Sequence, residues 1–413
     1  MSATTNTGSH AAGLHGAVFK QSVDALLSNA VATGDVPGVI AAVTSASATL
    51  YEGSAGVRVQ GQGTPMTQDT VVWLASMTKP IIGAAAMQLV EQGRIALDQP
   101  AAKVIPEFAH FKVLTGWNAQ GELLTRPPKT AITLRHLLTH TSGLVYDTWN
   151  PDMARFQKLH NIPRAGSGLE RSLRLPLAFD PGERWEYGIN IEWTGKVIEA
   201  VSGKRLGQYL IDHLTGPLGM HSTGFKITPD MRARLAKVHQ RGEDGALAVT
   251  DFEINQTPEF EPGGGGLYST SSDYQRFMRM ILNSGRGEDA SGVADQGNQV
   301  LRPETVALMS KNAMGNLRVR MLPTQSPALS RDAEFFPGLH KTWGLSFMIN
   351  EETAPTGRSP GSLAWAGLPN TFFWIDPVQK MGGVILMQVL PFVDQKALGL
   401  FTKFEGSVYA ALA

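Results

Sequence analysis

Cysteine is absent from this 413-residue chain. That removes disulfides, thiolate metal sites and thiol nucleophiles together, while leaving the compartment open. Net charge is absent as well: 36 Lys and Arg balance 36 Asp and Glu. Without a basic excess there is no electrostatic case for nucleic acid or for an anionic membrane surface. No apolar run approaches the roughly 20 residues of a membrane span. Met1 to Gly16 is polar and rich in small residues, with no basic stretch leading into an apolar one. It therefore reads as weakly ordered rather than as a signal peptide, and a soluble cytoplasmic protein is expected. What remains is an ordinary globular composition, 42% hydrophobic and 17% charged, in a chain long enough for a large core and more than one substructure.

Helical periodicity over Ala17 to Ala32 stops near Gly34, and Gly38 to Thr44 and Thr49 to Ala55 read as paired strands. Helices are expected from Ser76 to Gln92, Ile132 to Leu138, Ile191 to Ser202, Leu206 to Leu214 and Asp273 to Asn283, the last capped by Ser271-Ser272-Asp273. Late strands are expected at Trp343 to Ile349, Leu363 to Ala366, Thr371 to Ile375 and Gly382 to Val389, before a final helix from Phe401 to Leu412. Strands at both ends of the chain around a helical middle predict an α+β fold in which both ends complete one antiparallel sheet. Residues 1–90 and 240–413 would form the sheet-containing part, residues 91–239 an inserted helical part, and the active site the cleft between them.

The chemistry starts at Ser76-Met77-Thr78-Lys79. Three residues apart on a helix is one turn, so a hydroxyl and an amine share a face. A serine becomes a nucleophile when a nearby base takes its proton, and a lysine whose pKa is lowered can be that base. By itself S-x-x-K is common, and a capping serine with a solvated lysine is its ordinary meaning. Further along, Pro181-Gly182 makes a turn followed by Trp185 and Tyr187. A phenol beside an ammonium is pushed toward phenolate and would serve as a general base. Trp365-Ala366-Gly367-Leu368 lies in an expected strand that could present backbone N–H groups to an oxyanion, with Gly367 allowing close approach.

Ser76-x-x-Lys79, then Tyr187, then Trp365-x-Gly367 resembles, in that order, the serine β-lactamase and penicillin-binding-protein superfamily. It is most similar to the esterase branch related to class C β-lactamases, the family VIII carboxylesterases. Supporting stretches fall in the same order: Leu134 to Leu144 with His140-Thr141-Ser142-Gly143, Phe179-Asp180-Pro181-Gly182, and the glycines Gly263 to Gly266 leading to Tyr268. The resemblance implies a β-lactamase-like fold and a small carboxylic ester as substrate, with no metal or cofactor. It makes Ser76 the acylated nucleophile, Lys79 and Tyr187 the proton relay, and the backbone N–H groups of Ser76 and Leu368 the oxyanion hole, with Trp365, Ala366 and Gly367 against the substrate. Two departures favour a neutral ester over a lactam. Ile189 stands where class C enzymes carry the Asn of Tyr-x-Asn, with Asn190 one residue late, and Trp365 stands where they carry a cation. The Trp193-Thr194-Gly195 stretch after Tyr187-Gly188 also resembles fungal acyltransferases that load a short acyl chain onto a statin precursor, so transfer to an alcohol is the alternative to hydrolysis. Weak β-lactamase or D-aminopeptidase activity is a further one. A catalytically silent peptidoglycan-sensing protein would be expected to have lost the Ser, Lys and Tyr.

Other motifs compete. Gly357-Arg358-Ser359-Pro360-Gly361 matches G-x-S-x-G but lacks the strand–turn–helix setting and a histidine after it. His136 and His140 are spaced like a zinc pair without a third ligand. Lys341-Thr342-Trp343-Gly344 is a K-T-G interrupted by Trp, and the glycine run lacks the Lys-Ser/Thr of a phosphate loop, so it reads as a tight turn near the cleft.

Overall fold

The computed structural model describes residues 14, 16–288, 292–293 and 296–412. Most of the expectation for Met1 to Gly16 therefore lies outside the described residues, although Leu14 is buried. A seven-stranded sheet forms the centre, its strands in the order Thr49–Gly56, Gly38–Ser45, Met381–Leu386, Thr371–Asp376, Ser362–Gly367, Met348–Asn350, Lys341–Trp343. Every pairing is antiparallel, and register runs from Ile40 opposite Leu386 through Phe373 opposite Trp365 to Met348 opposite Trp343. Nearly every residue of the inner strands is buried on both faces. Such strands read as continuous apolar runs rather than alternations, as Gly38–Ser45 and Thr371–Asp376 do.

Helices Ala17–Ala32 and Gln395–Ala410 pack together on one side of the sheet, and Ser271–Leu282 packs against Gly38–Ser45 and Met381–Leu386. Thr78–Glu91 is the central helix. All its residues from Thr78 to Leu89 are buried, as a helix that is apolar on every side must be. It packs against Asn190–Ser202.

Several expected elements come out differently; the terminal helix, for one, begins at Gln395 rather than at Phe401. Trp343 to Ile349 is a hairpin rather than one strand, turning at Gly344 to Ser346, where Ser346 has φ +78°. The strand expected to run to Val389 ends at Leu386. Gln388 then bonds both the N–H and the carbonyl of Trp73, and Val389–Leu390 joins a small separate sheet, parallel to His239–Arg241. The cap of the Ser271–Leu282 helix is Thr270, whose side chain accepts from the Asp273 N–H. The middle of the chain also holds an unforeseen hairpin, Val113–Trp117 with Leu123–Arg126.

Candidate active site

Ser76 sits in a single tight turn, Ala75–Met77, that feeds directly into helix Thr78–Glu91. Ala75 just before it has φ +47°, a left-handed conformation that costs a non-glycine residue of order 1–3 kcal/mol and tends to persist at functional sites. The surroundings hold it there. The Leu74 N–H donates to Leu267 O, Thr371 Oγ1 donates to Leu74 O at 3.2 Å, and Tyr274 OH donates to Met77 O at 3.1 Å. Gly367 is needed for this clamp, because a Cβ there would lie 2.1 Å from Leu74 O and 2.2 Å from Thr371 Oγ1. Strand-to-turn packing thus by itself requires a glycine at this position.

One turn on, the Lys79 side chain is fully buried. Its Nζ is 3.1 Å from Ser76 Oγ, 3.2 Å from Tyr146 OH and 2.6 Å from Gly264 O. Burial pushes the amine down to about 8, and the Glu192 carboxylate opposes that shift. The position in the first helical turn also disfavours a cation there. Ser76 itself is partly exposed, at the edge of a pocket of about 440 Å³.

Tyr187 differs from expectation. The Lys79 Nζ lies over its ring, 4.6 Å from the centroid, and the phenol that shares a hydrogen bond with the amine is Tyr146. Burial raises the Tyr187 pKa strongly, and hydrogen bonds with Ser76 and Trp365 only partly offset it. Tyr187 is therefore held as a neutral phenol, not nudged toward phenolate, because desolvation outweighs a cation stacked on the ring face.

Trp365 also takes a different place from the expected substrate wall. Its indole N–H donates to Tyr187 OH at 2.9 Å, and its ring packs against Trp343 and Tyr187. Trp365 and Ala366 are buried behind the site. The apolar wall comes instead from Trp73, Phe252, Ile254, Leu329 and Leu368, with the Trp73 and Phe252 rings tilted against each other, centroids 4.6 Å apart, and the Arg164–Asp147 ion pair (2.8 Å) toward the rim. Leu368 borders the same pocket as Ser76.

Tyr146 and Glu192 were not singled out from the sequence. Tyr146 OH donates to Glu192 Oε1 at 2.8 Å, and Glu192 is buried in the first turn of helix Asn190–Ser202. A carboxylate placed among Ile189, Ile191 and Trp193 is a readable signal, since an unpaired one would not be buried. The glycine run belongs to the same site. Gly264 O receives Lys79, Gly265 O receives Trp73 Nε1 at 2.7 Å, and a Cβ on Gly264 would lie 2.3 Å from Glu192 Oε1.

The other motifs resolve as scaffolding. His136 Nδ1 accepts from the Thr133 N–H in a capping box. His140 Nδ1 accepts from the Gly188 N–H, which puts the ring proton on Nε2, and burial with Lys79 nearby keeps the ring neutral. Asn190, the late Asn, faces inward and bonds His140, Leu144 O and Ser142. Lys341 Nζ is tied to Phe336 O and Leu339 O. No cluster of metal-ligating side chains occurs among the described residues, and no helix there is long and apolar enough to cross a membrane.

A protein-family model described as Beta-lactamase matches residues 23–401. Monacolin J acid methylbutanoyltransferase of Aspergillus terreus is 30% identical over 399 residues, covering 92% of this chain and 93% of that protein. Lovastatin esterase of Penicillium rubens is 30% identical over 400 residues, covering 94% and 98%. Unliganded simvastatin synthase (LovD) of Aspergillus terreus superposes with a TM-score of 0.82 at 28% identity, covering 96% and 99%.

Proposed function

Because this chain belongs to the beta-lactamase family, we propose that it is a serine enzyme that takes the acyl group of a carboxylic ester onto Ser76 and passes it to water. The observation that carries the reading is the buried Lys79 amine, 3.1 Å from Ser76 Oγ, with its pKa brought down to about 8. Such an amine is neutral often enough near neutral pH to accept a proton.

Ser76 Oγ attacks the ester carbonyl as its proton passes to Lys79. The backbone N–H groups of Ser76 and Leu368 receive the oxyanion, and the positive end of helix Thr78–Glu91 adds to them. The Ser76 proton now held on Lys79 goes to the departing alkoxide, and the Tyr187 phenol, kept neutral by burial and hydrogen-bonded to Ser76, steadies that oxygen as a donor. Water then repeats the sequence in reverse. The pocket walls suit an ester with an apolar, medium-sized alcohol or acyl portion. Those walls also favour a second reading, in which a bulky apolar alcohol settles against Trp73 and Phe252 and outcompetes water. One similar protein is named a methylbutanoyltransferase and another an esterase, and the acyl-enzyme is common to both outcomes.

Turnover of p-nitrophenyl butyrate, with product analysis in the presence and absence of a cyclic secondary alcohol, separates them. Free butyrate as the main product with alcohol present supports hydrolysis, and a butyrate ester of the alcohol supports transfer. No release of p-nitrophenol by the wild-type protein would overturn both.

A further inference from the structure

The base of this site has a third and a fourth member behind it. Lys79 Nζ meets three oxygens: Ser76 Oγ, Tyr146 OH and Gly264 O. An ammonium would donate to all three. A neutral amine would donate to Gly264 O and Tyr146 OH and turn its lone pair to the Ser76 hydroxyl. Either way Tyr146 keeps its own proton and donates it to Glu192 Oε1. Glu192 Oε2 is buried and has no hydrogen-bond partner among the described residues, so what faces this carboxylate electrostatically is the lysine.

Resting on the acyl-enzyme reading above, we propose that Glu192 is the positioning anion of the site: through the Tyr146 hydroxyl it aims the Lys79 amine at Ser76 and stabilises the ammonium that forms there. In the acylation step the Ser76 O–H bond breaks, an N–H bond forms on Lys79, and the freed oxygen electron pair forms the bond to the acyl carbon. The charge that appears on Lys79 is balanced by Glu192, whose own protonation is unchanged. This is the arrangement of a base oriented by a buried acid, with a phenol inserted between them.

The other titratable groups around the pair do not supply that charge. Tyr187 faces Lys79 and Glu192 as a neutral phenol, and His140 faces Lys79 as a neutral imidazole. Asp147 acts on Tyr146 from the pocket side and is paired with Arg164. On its own helix, the next cation, Lys196, is engaged by Glu170. Burial raises the Glu192 pKa and Lys79 lowers it. Gly264 fits the scheme, because any side chain there would displace the carboxylate.

Glu192→Gln keeps an acceptor for Tyr146 and removes the charge. The test follows the ε-carbon resonance of Lys79 through a pH titration of the ¹³C-lysine-labelled full-length protein, beside the pH profile of the first acylation by p-nitrophenyl butyrate. With the anion gone, burial acts on the amine unopposed. The Lys79 midpoint is expected to move to lower pH in Glu192→Gln, and the acid limb of acylation to move with it. The plateau rate should fall roughly tenfold or more, and Glu192→Asp should return the midpoint toward the wild-type value. A lower rate with an unmoved midpoint would mean a merely structural role and would overturn the proposal, as would no change in either. A wild type that is not acylated, with a midpoint that still shifts, would sink the esterase reading while Glu192's hold on Lys79 stands. Should Glu192→Gln not fold, Tyr146→Phe cuts the bridge, and a midpoint equal to wild type in that variant would be the overturning result.

Discussion

Two serines in this chain carry hydrolase-like motifs, and each lies beside a buried cation paired with a buried glutamate. At Ser76 the cation is Lys79 and the glutamate is Glu192, held apart by the Tyr146 hydroxyl. At Ser359 the cation is Arg358, whose Nε and Nη2 both bond the Glu405 carboxylate directly, the second at 3.1 Å. The difference is chemical. A guanidinium keeps its proton at any working pH and locks onto a carboxylate through two parallel bonds. An amine reached through a phenol can change its charge. The Ser359 region ties the Ser359 N–H to Asp376 and the loop to the C-terminal helix. It is a fastening, whereas the Ser76 region is a titratable device facing a pocket.

The largest effects should separate the two serines. Ser76→Ala is expected to lower kcat/KM for a p-nitrophenyl ester by roughly 10⁴-fold or more, while Ser359→Ala stays within about twofold of wild type, since nothing in the acylation route passes through it. Steady-state kinetics on both variants checks this, and a large loss in Ser359→Ala would erase the distinction. Next comes Gly264→Ala. Its Cβ would press on the Glu192 carboxylate and shift the carbonyl that Lys79 bonds, so a loss of roughly 10²-fold in kcat is expected with the fold retained by circular dichroism. The acylation rate should also fall by about tenfold for each pH unit below the Lys79 midpoint near 8, because the amine is charged there and cannot take the Ser76 proton. A rate flat from pH 5 to 9 would speak against Lys79 as the base. The smallest effect on turnover should come from Arg358→Met. It strands Glu405 and is expected to cost about 3–5 kcal/mol of stability in urea unfolding, while the activity of the folded fraction remains that of wild type.

The sequence carried the sheet, the central helix and the Ser76–Lys79 contact, because those rest on local rules: apolar runs for doubly buried strands, and a one-turn spacing on a helix. The resemblance puts Tyr187 and Trp365 at the site; in the structure the Lys79 amine lies over the Tyr187 ring, while Trp365 is buried behind it, with its indole N–H on the Tyr187 hydroxyl. Their neighbours were not legible. Whether Lys79 bonds the hydroxyl of Tyr187 or of Tyr146 depends on how the loop after Gly143 folds back, which no spacing encodes. The direction of the Tyr187 shift depends on burial from all sides, and a motif shows only one neighbour. Glu192 is hard to pick out, because a glutamate in a first helical turn ordinarily reads as a dipole partner in water. The glycine run reads as a turn and is one, but its reason, room for a carboxylate at Gly264, needs the third dimension.

The central claim is that the acyl group rests on Ser76, and intact-protein mass spectrometry within the first second of exposure to p-nitrophenyl butyrate tests it most directly. The account predicts one butyryl adduct on the wild type, mapped by peptide sequencing to Ser76 and missing from Ser76→Ala. An adduct that persists in Ser76→Ala, or maps to Ser359, would contradict it.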